Sequence, residues 1–446
     1  MTIGALSTDL YELTMMAGYR RAGLTGSATF ELYARRLPPS RSFLVAAGLE
    51  QALDFLETLR FSGEDIAYLR SLPHFGCVTD EFFDDYLPRF RFTGEVWAVE
   101  EGTPVFPPAP LLRVTAPLPE AQLVETALLA FITFQTTVAS KAARITAAAA
   151  GRSVVEFGAR RAHGVEAGVL AARAAYLAGC DGTSNVDAGR RFGIPVSGTM
   201  AHSWVLAFGD EEEAFTTYAD CFRERAVLLL DTFDTLAAAR RIPAAGLRPA
   251  AVRLDSGDLA GLSRQVRAIL DGAGLSATKI LASGDLDEGK IAALVSGGAP
   301  IDGFGVGAAL STSFDAPSLG AVYKLVELER RGGVAPVMKS SPDKETYPGR
   351  KQVWRVLESG RAVRDVLALA DEPGPAGAVP LLEPVMRDGR RVRPSRALAA
   401  LRERCRDELT RLPDAVRRLA DPASYTVELS GGLRSLIARV ARAQES

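Results

Sequence analysis

The chain has 446 residues, 47% of them hydrophobic and 24% charged, with a formal net charge of −2. Both signs are mixed throughout, so no basic face for nucleic acid is implied. No run approaches the roughly 18 apolar residues that cross a bilayer, and no membrane partner is expected. The opening "MTIGALSTDL" lacks the charged and apolar regions of a signal peptide. Cys77, Cys180, Cys221 and Cys405 are scattered without a CxxC pair, so neither a zinc cluster nor a disulfide framework is suggested. A reducing cytoplasm is the expected location.

Residues 1–140 read as an α+β domain. "GSATFELYARRLP" alternates as a strand does, whereas "GLEQALDFLETLR" has helical spacing. "RFTGEVWAVEEGTPVFPPAPLLRVTAP" reads as short strands broken by Gly and Pro.

The rhythm becomes regular over residues 141–325. Seven short apolar or β-branched runs end in Gly, Asp or Ser: "SVVEFG", "AGCDGTSN", "IPVSGT", "AVLLLDTFD", "AAVRLDSGD", "KILASGD" and "IDGFGVG". Amphipathic stretches such as "EAGVLAARAAYLAG" and "GLSRQVRAILDGAG" separate them. Strands alternating with helices predict an α/β fold with a parallel sheet. An irregular (β/α) barrel is the simplest closure, and a doubly wound open sheet is the alternative. Residues 326–446 lose the pattern: a strand, a polar loop and another strand lead to an Arg- and Pro-rich tail with a helix near 434–443.

A barrel places its chemistry at the C-terminal ends of its strands. Those ends supply Arg160, Arg161, Ser184, Thr199, His202, Asp231, Arg253, Asp255, Ser256, Asp258, Asp285 and the glycines at 305 and 307. Both signs converge there, as suits a phosphorylated substrate held partly through a divalent cation. In "VRLDSGDL" a helix cap explains one polar residue, but two carboxylates around Gly257 with Arg253 just before them exceed what a cap needs. "ASGDLDE" repeats the arrangement at Gly284 and Asp285. "GFGVGAAL" offers backbone amides to a phosphate, although glycine also marks tight turns and the spacing is not a dinucleotide fingerprint. Phe157 gives a flat ring an aromatic face beside the guanidinium groups of Arg160 and Arg161. Histidine at 202 suits a phosphoryl acceptor, a base or a hydrogen-bonding group; a purely structural histidine is the other reading. His74 and His163 are assigned no role.

The segments "STDLYELTMMAGY", "EFGARRAHG", "DGTSNVDAG", "GTMAHSWV", "RLDSGDL", "GFGVGAAL" and "PSLGAVYKLV", taken in order, resemble nicotinate phosphoribosyltransferase over nearly the whole chain. The resemblance implies a type II phosphoribosyltransferase architecture. Its parts are an N-terminal α+β domain, an irregular (β/α) barrel, and a C-terminal extension packing on both. It implies condensation of nicotinate with 5-phosphoribosyl 1-pyrophosphate, coupled to ATP hydrolysis and requiring Mg2+. His202 becomes the phosphohistidine, with Asp255 and Arg253 beside it as catalytic residues. Tyr11 and Phe157 sandwich the pyridine ring, Tyr11 coming from a second subunit of a homodimer with a shared active site. Thr199, Arg253, Arg160 and Ser184 lie at the nicotinate site. Asp255, Ser256, Gly257, Gly284 and Asp285 serve the ribose, with Asp255 and Asp285 toward the metal; Gly305 and Gly307 cradle the 5-phosphate.

Substrate choice has one legible clue. Nicotinamide-using relatives carry aspartate where this chain has Ser184; an aspartate would repel the carboxylate of nicotinate, and serine does not. One departure is Ala308, which stands where the family often has threonine and removes a hydroxyl donor from the phosphate loop. A nicotinamide-using transferase, a quinolinate-using transferase and a non-catalytic ligand-binding paralogue are the alternatives. The first is disfavoured by Ser184, the second by the lack of a denser basic pocket, and the third by the presence of His202, Arg253 and Asp255.

Overall fold

The computed structural model describes residues 3–39, 41–330, 333–340 and 346–445. The polar loop expected at "SSPDKE" lies mostly outside the described residues. The chain divides into two compact units, Met1–Thr137 with Ser318–Ser446, and Val138–Pro317.

The contiguous unit holds six parallel strands: β1 (Ser153–Glu156), β2 (Gly182–Thr183), β3 (Val227–Leu229), β4 (Ala251–Leu254), β5 (Lys279–Ala282) and β6 (Gly303–Val306). Their order is β2-β1-β6-β5-β4-β3. The decisive pairing is between the last strand and the first, with Gly303 opposite Ser153 and Val306 opposite Glu156. Every other strand lies beside its chain neighbour, so the strands follow one another around a ring. That is barrel connectivity, and the open-sheet alternative falls away. The expected strand "IPVSGT" contributes only a single parallel bridge, Thr183 to Val196. Among the described residues no ladder joins Val196 to β3, and the barrel is irregular at that point.

Side-chain caps open the helices that follow β2, β3, β4 and β5, and the helix after His202–Phe208. Asn185, Asp210, Asp234, Asp258 and Asp287 each accept a backbone N–H from the first turn of the helix that follows. These caps satisfy amides that have no partner within the helix. The caps precede helices Val186–Phe192, Glu211–Phe222, Thr235–Ala244, Leu259–Gly272 and Glu288–Ser296. Asp258 therefore does the bland task foreseen for one carboxylate of "LDSGD". The inner faces of the strands are unusual for a barrel. Packed barrels fill their centre with branched residues; here Val155, Val227 and Leu281 share the lining with Ser153, Ser197, Gly303 and Gly305, and a small cavity remains.

The other unit is built on a sheet with the order Gly333–Pro336, Ala321–Arg330, Ser27–Ala34, Pro110–Pro117, Glu95–Val99, Leu382–Arg387, Arg390–Arg391. All of its pairings are antiparallel. Because Ala321–Arg330 pairs with Ser27–Ala34, the chain re-enters this unit at Ser318 rather than near 326, and the tail and the N-terminal residues share one unit.

A second sheet of this unit pairs Lys351–Glu358 with Arg361–Leu369. It carries a buried ion pair: Arg355 donates from Nε and Nη2 to the two carboxylate oxygens of Asp365, each at 2.9 Å. The guanidinium lies over the rings of Phe106 and Tyr425, 5.8 and 6.0 Å from their centroids. Arg355→Met strands the fully buried carboxylate of Asp365. It is expected to cost about 3–5 kcal/mol, read as a lowered thermal unfolding midpoint.

Candidate active site

The polar residues at the strand ends of the barrel unit meet around one guanidinium. Arg253 is the third residue of β4, and its side chain points into the barrel. Its Nε donates to Ser283 Oγ at 2.8 Å, Nη1 to Thr199 Oγ1 at 2.8 Å, and Nη2 to Asp255 Oδ1 at 2.7 Å. The ring of Phe157 lies below it, with the guanidinium carbon 5.7 Å from the ring centroid. One cation thus ties together residues from four strand ends; Nη1 also reaches Met200 O at 3.4 Å, which leaves one Nη2 N–H uncommitted. This is a pre-oriented carboxylate or phosphate receptor.

Asp255 has two differently used oxygens. Oδ1 accepts from Arg253 and from Ser283 Oγ at 2.5 Å. Oδ2 faces His202 Nε2 at 3.9 Å. Burial is the largest single influence on this carboxyl and pushes its pKa up. The hydrogen bonds from Ser283 and Arg253 and their charge outweigh it, leaving the carboxyl below its ordinary value and ionised.

His202 opens helix His202–Phe208 with its side chain 42% exposed, and its Nδ1 is 3.1 Å from Thr232 Oγ1. One ring nitrogen is thereby engaged while the other looks toward the carboxylate. Asp231 holds the loop beneath: its Oδ2 accepts from the backbone of Asp255 at 3.1 Å and from Ser256 Oγ at 2.5 Å. Its Oδ1 is buried without a partner among the described residues.

Two glycines are required by geometry. Gly284 has φ +93°, and a Cβ there would overlap the backbone oxygen of Asp255. The close approach of the β4 and β5 loops depends on it. A Cβ on Gly305 would sit 2.5 Å from the Phe157 ring, so this glycine makes room for the aromatic platform. Gly257 also has positive φ, +79°. Gly307 precedes the short helix Ala308–Ser311. Asp285 is exposed at φ +46°, its backbone oxygen held by Lys290 Nζ at 2.7 Å.

Arg160 is exposed and makes no ion pair among the described residues, and Ser184 follows β2 with its backbone N–H on Glu156 O at 2.9 Å. Thus Phe157, Thr199, His202, Arg253, Asp255 and Ser256 form a connected cluster. Arg160, Ser184, Asp285 and Gly307 stand at neighbouring strand ends without bonds into it. Thr232 and Ser283 were not singled out from sequence. The signal for Ser283 was available: it is two residues after lumen-facing Leu281, on the same face of the strand.

Tyr11 belongs to the other unit. It lies at the start of helix Leu10–Arg21, 43% exposed. Burial of its hydroxyl end and the nearby Glu125 push the phenol pKa up. The next residue, Glu12, is fully buried. Its Oε1 accepts from the backbone and hydroxyl of Thr126, at 3.0 and 2.5 Å, and Thr8 Oγ1 bonds its Oε2. These bonds fasten the Tyr11 segment to the start of helix Glu125–Ala148. Burial, the dominant cause, raises the Glu12 pKa to about 7.

Among the described residues no group of three or more His, Cys, Asp or Glu side chains is arranged to hold a metal ion. Mg2+ ordinarily needs only one or two carboxylates, with substrate phosphates completing the shell, and Asp255 Oδ2 and exposed Asp285 are the carboxylates that would be available to it.

Comparison with known proteins agrees along the whole chain. Residues 6–133 match the nicotinate phosphoribosyltransferase (NAPRTase) N-terminal domain, residues 152–369 the nicotinate phosphoribosyltransferase (NAPRTase) family, and residues 375–437 its C-terminal domain. The chain is 47% identical to a nicotinate phosphoribosyltransferase of Mycobacterium tuberculosis over 99% of this chain and 95% of that one. It is 44% identical to that of Bacillus subtilis over 82% and 76%. The crystal structure of human nicotinic acid phosphoribosyltransferase superposes with a TM-score of 0.85 at 32% identity, covering 97% of this chain and 99% of that one.

Two outcomes follow from this geometry. Gly284→Ala is expected to lose about 1–3 kcal/mol through left-handed strain alone, with the overlap adding to it, measured as a drop in the unfolding midpoint. For Glu12 the folded pKa lies above the unfolded one, so its protonated form is favoured by the fold. That stability, complete below the ordinary carboxylate value, is lost as pH rises through about 7. Glu12→Gln is expected to flatten the decline of the unfolding midpoint between about pH 5 and pH 8.

Proposed function

The chain belongs to the nicotinate phosphoribosyltransferase family, and from that premise we propose that it condenses nicotinate with 5-phosphoribosyl 1-pyrophosphate. The products are nicotinate mononucleotide and pyrophosphate, as part of NAD salvage. The observation that carries this reading is Arg253, held by Ser283, Thr199 and Asp255 above the Phe157 ring.

In this reading the pyridine ring stacks on Phe157 and its carboxylate is taken by Arg253, with Thr199 and Arg160 nearby. Ser184, an uncharged hydroxyl, accepts the acid without repulsion, which favours nicotinate over nicotinamide. Stacking aims the ring nitrogen at ribose C1, and such positioning supplies much of the barrier reduction. As the new C–N bond forms, the bond from C1 to pyrophosphate breaks and its electron pair leaves with the pyrophosphate. Asp255, Ser256, Gly257, Gly284 and Asp285 hold the ribose, and the amide end at Gly305–Gly307 receives the 5-phosphate. Asp255 and Asp285 would hold Mg2+ together with substrate phosphates, and the ion would neutralise charge on the leaving group.

ATP enters through His202. An imidazole nitrogen attacks the γ-phosphorus, the N–P bond forms as the bond to the bridging oxygen breaks, and ADP departs. The exposed ring beside Asp255 supports this role, with Thr232 fixing its orientation. A second copy of the chain is proposed to cover the barrel mouth and supply Tyr11. Val196, Leu206, Phe233 and Phe314 stand 52–76% exposed on segments at the strand ends, apolar groups that such a copy would cover. Four free cysteines fit a cytoplasmic location, and no helix among the described residues is long and apolar enough to cross a membrane.

Turnover with nicotinate, nicotinamide or quinolinate, each with and without ATP, tests the reading. Nicotinate is expected to be preferred, and ATP is expected to stimulate the wild type but not His202→Ala. Preference for nicotinamide would overturn the role of Ser184. Binding of nicotinate without turnover would favour the non-catalytic paralogue, with Ala308→Thr the first reversion to make.

A further inference from the structure

The discontinuous unit has a cavity of its own, lined by none of the strand-end residues of the barrel. Helix Leu10–Arg21 forms one wall and segment 73–86 the other, enclosing about 410 Å3. That volume is within the range of small-molecule sites.

Its lining sorts by chemistry. The floor is apolar, with Ala17, Phe75 and Phe82 all buried. On one side the Arg20 guanidinium lies over the Tyr86 ring, 4.4 Å from the centroid, and reaches Glu81 at 3.7 Å. Arg21 and His74 add cationic or proton-donating groups at the rim, and Arg21 has no ion pair among the described residues. One carboxylate therefore faces two guanidinium groups and an imidazole. Exposed Gly18 leaves this stretch of the cavity wall without a side chain. It sits inside the helix, where glycine costs about 1 kcal/mol relative to alanine, and a Cβ added to it would meet nothing within 4 Å. The helix gives up stability where a side chain would project into open space.

We propose that this cavity is a binding site for an anionic ligand with a planar ring, of mononucleotide size. Its ring stacks on the Arg20–Tyr86 platform and its phosphate is taken by Arg21 and His74. The site also touches the presentation of Tyr11, because Thr14, in the cavity wall, donates its hydroxyl to Tyr11 O at 3.1 Å. This coupling alone rests on the role proposed above for Tyr11; the binding site does not.

Cys77 provides the test. Its thiol is exposed and belongs to the lining, and Cys221 is the other exposed cysteine. In the full-length Cys221→Ser protein, alkylation of Cys77 by iodoacetamide is followed by mass spectrometry with AMP, with inorganic phosphate, or with neither. Saturating AMP is expected to slow alkylation about fivefold, since access governs thiol reactivity. Arg21→Glu and Gly18→Leu, which reverse a charge and fill the space, are each expected to abolish protection while leaving turnover intact. No protection by AMP overturns the proposal. So does equal protection by phosphate at the same concentration, or protection that survives both substitutions. The readout needs no catalysis, so it stands or fails separately from the proposed reaction.

Discussion

Everything at the mouth of the barrel hangs on how Arg253 spends its hydrogen bonds. Three of its nitrogens are committed to side chains, two on other segments and one, Asp255, at the end of its own strand, and each commitment sets a neighbour. Thr199 is held at the start of the segment that leads to His202. Ser283 is turned so that its own hydroxyl points at Asp255. Asp255 has one oxygen consumed, leaving the other directed at the imidazole. A lysine could not do this, because an ammonium has no rigid fork with which to fix three directions at once. The arrangement also explains how a half-buried carboxylate stays ionised despite desolvation: its charge is shared with a cation that cannot swing away.

The barrel tolerates this polar centre because it is not packed in the usual way. Ser153 on β1 and Gly303 and Gly305 on β6 leave room among the branched residues of the lumen, and ion pairs in the layer outside add to the packing. There, Lys141 is buried against Glu288 and Asp315, at 2.5 and 2.8 Å, and Arg144 also bonds Glu288, at 3.0 Å. That cluster anchors the first turn of helix Glu288–Ser296, three residues beyond Asp285. Packing and ion pairing behind the strands thus position the loops whose inner faces are left free for chemistry.

Much of the barrel was legible because each strand is short, apolar and ends in a polar or glycine turn, and each helix has an amphipathic period. What failed was local. "IPVSGT" carries a proline and a glycine, and with Thr183 paired to Val196 at a single point it never becomes a ladder. The cluster's primary members were legible as strand-end polar residues. Thr232 was not, because a threonine after a strand is ordinary in loops and only its partner reveals it; Ser283 was open to a register argument from Leu281. Gly305 was read as a phosphate cradle, and its packing against Phe157 required knowing that both face the lumen. Glu12 could not be found from sequence at all: a charged residue one position past an exposed tyrosine gives no sign that it is buried.

The division of the chain carries a consequence for biosynthesis. The barrel is contiguous and has all its strands once translation reaches Pro317. The other unit is interrupted by it, so strand Ser27–Ala34 has one neighbour from its own half and must wait for Ala321–Arg330 to supply the other. Local pairings form fast and distant ones pay for loop closure, and domains emerging from the ribosome fold in order of completion. The nascent chain therefore carries an unfinished sheet edge through the whole synthesis of the barrel. That edge, rather than the catalytic barrel, is where chaperone protection during translation is most needed.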